Sequence, residues 1–106
     1  MDLAVIPCRP SAFDIAAMAP MAAIIEASGI PGVILLNACP PRSPEIGESR
    51  AVLSGFGLSV APLSIAERRA FARAVASGRA VTEFDAGGKA AMEIRSLWTW
   101  LKGAMP

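Results

Sequence analysis

Gly32-Val33-Ile34-Leu35-Leu36-Asn37 decides how this sequence is read. Val33 to Leu36 are consecutive large apolar residues, so the segment has no polar face. A strand of this kind is most simply buried on both sides, in a parallel sheet covered by helices. It ends in Asn37, ahead of Ala38-Cys39-Pro40-Pro41. A polar residue at the carboxyl end of a central parallel strand sits where open α/β sheets bind ligands. The plainer alternative is a core strand that runs into a Pro-stopped loop.

Upstream, Leu3-Ala4-Val5-Ile6 reads as a short buried strand, ended by Pro7-Cys8-Arg9-Pro10. A core strand with nothing before it suggests the back part of something larger, because chain ends are peripheral unless tied into a sheet. Ser11 and Asp14 have the spacing of a capping box in its acidic variant. They predict a helix from Ala12 to Ser28, stopped by Gly29. Ile15, Met18, Ala22 and Ile25 recur at helical spacing, and Pro20 is expected to kink or divide the helix. Strand, helix and central strand together make one βαβ unit.

Downstream, Ser43 as N-cap and Pro44 at the first helical position predict a helix from Pro44 to Ser54. Leu58-Ser59-Val60-Ala61-Pro62 reads as a third strand, again ended by Pro. Ser64-Ile65-Ala66-Glu67 has capping-box spacing and predicts a helix running to Ser77, with Gly78 after it. Arg79 to Phe84 reads as a short extended stretch that could form an edge strand. The last helix is expected over Lys89–Lys102, with Ile94, Leu97, Trp98 and Leu101 as its buried stripe and Trp100 off it. The pattern is an α/β chain of three to four mostly parallel strands alternating with helices, one domain over residues 1–106. The strands end in Pro or Pro-rich loops, which fall together on the ligand edge of such a sheet.

Composition narrows the chemistry. The 106 residues suffice for one small domain with a real core, and 54% of them are hydrophobic, which excludes a disordered chain. The formal net charge of +1 gives no global field for nucleic acid or membrane. With no His, His-based catalysis and His-ligated metal sites are excluded. Two cysteines are too few for a disulfide scaffold and fit a reduced cytosolic setting. No apolar run approaches the ~20 residues of a membrane span. The amino terminus lacks a basic segment and meets Pro7 early, so it does not read as a signal peptide. A soluble cytoplasmic protein is expected.

Few features carry chemistry. Gly87-Gly88-Lys89 lacks the spacing of a phosphate-binding loop and reads as a flexible helix start with a solvated Lys. Cys8 and Cys39 both follow strand ends; without a partner base they read as small buried thiols rather than nucleophiles. Arg68, Arg69, Arg73 and Arg79 form a local basic cluster, either a solvated helix face or a set of phosphate contacts. Trp98 reads as core. Trp100 could mark a contact surface or shield the terminus.

The order of these motifs resembles the carboxyl-terminal half of ParA-type partition ATPases, the deviant-Walker P-loop family that segregates plasmids and chromosomes. Asp2 to Ser11, followed by Asp14, is similar to the family's strand ending in Pro with a following Pro-Ser. Val33-Ile34-Leu35-Leu36-Asn37 is similar to the strand whose terminal Asn contacts the adenine base. Val60-Ala61-Pro62 is similar to the next strand, whose following loop lines the base pocket. Phe71 to Gly78, Val81 to Asp85 and Lys89 to Ile94 resemble the closing segment. Ala86 departs from the pattern, standing where the family often has Pro.

The resemblance implies a partial P-loop NTPase-like layer. It implies an adenine pocket at Asn37, Pro62, Leu63 and Ser64, and contacts to non-specific DNA from Arg68, Arg69, Lys89 and Arg95. It implies ATP and Mg²⁺ as the family's cofactors, a homodimer or a missing amino-terminal half, a ParB-like partner, and a cytoplasmic, nucleoid-associated location. The family's P-loop, with its two lysines, and its Mg²⁺-holding Asp have no counterpart here. Phosphoryl transfer rests almost wholly on positioning the phosphates and neutralising their charge. The chain alone is therefore not expected to hydrolyse ATP or to bind it tightly. A truncated gene, a mis-started frame and a split piece are the ways such a chain could arise. The alternative function is a non-enzymatic α/β module that binds a partner protein through an open sheet edge.

Overall fold

A computed structural model describes residues 2–105 and is an α/β layer built on a three-stranded parallel sheet. In chain order the elements are β1 (Ala4–Cys8), α1 (Ala12–Ser28), β2 (Gly32–Cys39) and α2 (Glu45–Leu53). A single 3₁₀ turn (Ser54–Phe56) leads to β3 (Ser59–Ala66), α3 (Arg69–Ala76), α4 (Val81–Phe84) and α5 (Lys89–Ala104). The sheet order is β1-β2-β3, so the all-apolar strand is the central one. Val5 pairs with Val33 and Ile6 with Ile34 on one side; Ile34 pairs with Val60 on the other.

Strand alternation divides the core into two layers. Ile34 and Leu36 are fully buried on one face, with Met18 of α1 and Leu53 of α2. Val33 and Leu35 are buried on the other, where Phe71 of α3 and Ile94, Leu97 and Leu101 of α5 pack. Both faces of β2 are thus covered, which is why it carries no polar alternation.

α1 starts where its cap predicts: the Asp14 N–H donates to Ser11 Oγ at 3.2 Å, and the Ser11 hydroxyl donates back to the Asp14 carboxylate. It stops at Gly29, whose φ of 75° favours a residue without Cβ. Pro20 does not divide it; α1 is one helix. Pro20 lacks the N–H that would serve the Ala16 carbonyl, and both residues lie on the exposed side, where water can take that role. α2 begins at Glu45 with Pro44 at its N-cap, one residue later than predicted, and Ser43 Oγ accepts from the Glu45 N–H at 3.3 Å.

The first two strands run further than expected: β1 passes through Pro7 to Cys8 and β2 passes Asn37 to Cys39. Three further expectations are corrected. First, β3 does not stop at Pro62 but continues to Ala66, and Ser64 pairs with Leu36 instead of capping a helix. Two register shifts make this possible. Between Ile34 and Leu36 of β2, β3 advances from Val60 to Ser64; between Ser64 and Ala66, β2 advances from Leu36 to Cys39. Pro62, which has no N–H for a ladder, falls within the first irregularity. Ala38, at φ 51°, falls within the second. α3 therefore begins only at Arg69, after extended backbone at Arg68.

Second, Arg79 to Phe84 is not an edge strand. The Ala80 N–H donates to Glu83 Oε1 at 3.0 Å and the segment closes as the helical turn α4, with Val81 buried. Third, the two tryptophans exchange roles. Trp100 packs against the Val33–Leu35 layer, whereas Trp98 is 54% exposed with the Lys102 ammonium 5.8 Å from its ring centre. Around the helix axis Trp98 lies ~100° from Leu97 and Trp100 only ~60° the other way, so the sheet-facing stripe takes Trp100.

Candidate functional site

The carboxyl ends of β1 and β2 and the end of β3 open onto a groove of about 560 Å³. Val5, Pro7, Leu35 and Ile65 form its sheet-side floor and Phe71 and Leu97 its helix side, with Asn37, Glu67 and Arg68 as polar groups. Asn37 reaches it because residues 33, 35 and 37 share one face of β2. A smaller polar recess of about 200 Å³ lies beside it, between Asn37, Arg9 and Asp14. β2 does not end at Asn37 but runs on to Cys39, so Asn37 lies two residues inside the carboxyl end of the central strand.

The other predicted base-site residues lie elsewhere. Leu63 and Ser64 line a separate cleft of about 370 Å³ with Arg68, Lys89 and Glu93. Pro62 is exposed in β3. The segment that shares the groove with Asn37 is the last residue of β3, Ala66, with Glu67 and Arg68 after it. That follows from the extra strand length: the chain leaves the sheet four residues later than the Pro suggests.

Of the four DNA contacts that the resemblance implies, Arg68 and Lys89 line the same cleft. Arg68 is already engaged: its Nε donates to Glu93 Oε1 at 2.8 Å in an ion pair. Arg69 is exposed at the start of α3. Arg95 is exposed on α5, and its Nη1 donates to the Ala86 carbonyl at 2.6 Å. The structure therefore does not bring all four cations to one place.

Glu93 is the site residue that sequence reasoning missed. Besides pairing with Arg68, its Oε2 accepts the Ala66 N–H at 3.3 Å. A carboxylate of α5 thus fixes the end of β3 and the turn into α3. No local signal in the sequence identifies it, because its partners lie 27 and 25 residues away.

Both thiols are buried on the α1–α2 face. Burial pushes the Cys8 thiol up, and the nearby Asp14 carboxylate and Cys39 push the same way. Burial also raises Cys39, against the opposing pull of the Arg50 cation and the Ser64 hydroxyl. Neutral, buried thiols are poor nucleophiles. Glu45, at the start of α2, is held lower by the Ser43 hydroxyl.

Among the described residues no three His, Cys, Asp or Glu side chains are grouped to hold a metal ion, and no helix is long and apolar enough to cross a membrane. The residues present do not fit an ATP–Mg²⁺ centre, since the sequence contains no phosphate-binding loop either. No protein-family model and no curated protein matches the chain.

Proposed function

We propose that this chain is the base-binding, DNA-facing portion of a ParA-like partition protein and does not hydrolyse ATP alone. The observation that carries the reading is Asn37, near the carboxyl end of a central parallel strand and lining a largely apolar groove. A flat base fits apolar walls with one amide at the rim. The order of motifs along nearly the whole chain supports the same reading. The lack of a phosphate-binding loop departs from that family and is the reason the proposal excludes ATP hydrolysis by the chain alone.

Calorimetric titration of the chain with ATP and Mg²⁺ tests the nucleotide part. Very weak binding, lost further in Asn37→Ala, is expected; submicromolar affinity would overturn it. For DNA, weak binding that falls steeply with salt is expected from phosphate contacts, with Lys89→Ala and Arg69→Ala weakening it regardless of sequence. Salt-insensitive or sequence-specific binding would contradict the DNA-facing role. A ParB-like partner and nucleoid association belong to the same proposal.

One observation favours a second reading, an interaction module that binds a partner protein through the open edge of β1. The Ala4 N–H donates to the Pro31 carbonyl, toward β2, at 2.9 Å. Alternation in a parallel ladder then turns the backbone of Leu3, Val5 and Pro7 outward. A genomic window separates the readings: an in-frame P-loop sequence just upstream supports the first, and a ribosome-binding site before Met1 with no P-loop nearby supports the second.

A further inference from the structure

α1 has two apolar faces, and the sheet uses only one. Met18 and Ala22 are buried against the core, with Ile15 and Ile25 half-buried beside them. On the opposite side Phe13, Ala17, Pro20, Ile24 and Ala27 are all exposed and follow one another at alternating spacings of four and three residues. That spacing is the seam of a helix-to-helix contact. Phe13 is 91% and Ile24 63% exposed, and Met21 flanks them at 44%. Scattered single apolar residues on a surface are ordinary; a continuous stripe along a whole helix is not.

The helix's two charges are kept off this stripe. Asp14 is turned back to the Ser11 hydroxyl at the amino-terminal cap. The Glu26 carboxylate lies over Gly57, on the side of the 3₁₀ turn. The outward face is therefore uncharged from end to end and has no basic residue to attract an anionic lipid surface.

We propose that this stripe is a dimer interface, occupied by α1 of a second copy of the chain packed antiparallel about a two-fold axis near Pro20. Its residue order is self-complementary, as an isologous contact requires. The axis sets Phe13 of one copy over Ala27 of the other, and Ile24 over Ala16 and Ala17. Large side chains meet small ones at each level, while the short Pro20 side chains at the crossing allow close approach. Antiparallel helices also place opposite dipole ends side by side. Burying the stripe removes ~500–600 Å² from each copy, a total near the ~1,000–1,200 Å² lower bound of specific interfaces. The contact is thus a modest, reversible dimer. It needs no nucleotide and does not involve the edge of β1.

Sedimentation of the full chain over a concentration series tests the proposal, with Phe13→Glu and Ile24→Glu as the disrupting variants. Both residues are exposed, so the variants should keep the circular dichroism of the parent. Dimerisation at least tenfold weaker is expected in each, and Val5→Lys should leave the dimer constant unchanged. Disulfide trapping of Pro20→Cys gives an independent readout in dilute solution: a covalent dimer should form readily, while Val75→Cys, also exposed and on α3, should give none. A monomer at every concentration, a dimer insensitive to both Glu variants, or equal trapping of Pro20→Cys and Val75→Cys would overturn it. So would binding of α1 to neutral vesicles in place of a second copy.

Discussion

The two edges of the sheet are finished in different ways. At the β3 edge, Glu93 of α5 accepts the Ala66 N–H and pairs with Arg68, so strand end and following turn are tied to a helix. At the β1 edge, the outward backbone of Leu3 and Val5 has no strand beside it among the described residues, and Val5 is 38% exposed. Pro7 blunts this edge in part, since its position would otherwise turn another N–H outward. A strand can be fully paired on one side, rich in apolar residues, and still leave its sheet unfinished.

The largest effect should come from the strand between these edges. Leu36 is fully buried, and Leu36→Ala should cost ~2–5 kcal/mol, whereas Val5→Ala should cost less than ~1 kcal/mol because its side chain already meets water. Urea unfolding of the two variants measures the ratio. Similar losses would mean that β1 is shielded as well as β2.

Next is the tied end of β3. Glu93→Gln should cost ~1–2 kcal/mol, as it weakens a charge-assisted bond to Arg68 and the bond to the Ala66 N–H. Thermal unfolding and amide exchange at Ala66 give the magnitude and the place. A neutral effect would show that α5 holds β3 by packing alone.

The thiols add a pH dependence confined to the α1–α2 face. Burial raises both Cys8 and Cys39 above the ordinary value of 9.0, so the unfolded chain ionises first as pH rises. Their contribution to stability is complete below that value and is lost as pH rises toward their folded values. Stability should therefore decline above pH 9, and less so in a Cys8→Ala, Cys39→Ala double variant. Stability rising through that range would contradict their burial.

The smallest stability change, and the clearest change in association, should come from Val5→Lys. A charge on an exposed edge position should alter unfolding by under ~1 kcal/mol while suppressing edge-to-edge association beyond any dimer. Light scattering on concentrated samples checks this, and undiminished aggregation would place the adhesive surface elsewhere.

Much of this architecture was legible in the sequence, for reasons that also set the limit. Val33 to Leu36 lack polar alternation because both faces of β2 are covered, and that alone indicates a central parallel strand. Ser11 with Asp14, and Gly29, mark α1 because capping is local chemistry. Pro62 misled because a register shift lets β3 pass it, and such shifts depend on the partner strand. Ser64 then lost its capping role to a ladder position, and the groove beside Asn37 acquired Ala66-Glu67-Arg68. Trp98 and Trp100 were exchanged because both lie near the margin of the α5 stripe. Glu93 was invisible, since its partners are distant in sequence. The place of Asn37 near the end of β2 was legible because the run of large apolar residues stops just before it.

The account turns on the β1 edge being open, and residue-by-residue amide exchange of the unmodified chain in dilute solution tests that most directly. Within one strand, the Val5 N–H should exchange orders of magnitude faster than the Ile6 N–H, because the first faces solvent and the second is held by β2. Equal, strong protection of Val5 and Ile6 under those conditions would contradict the open edge.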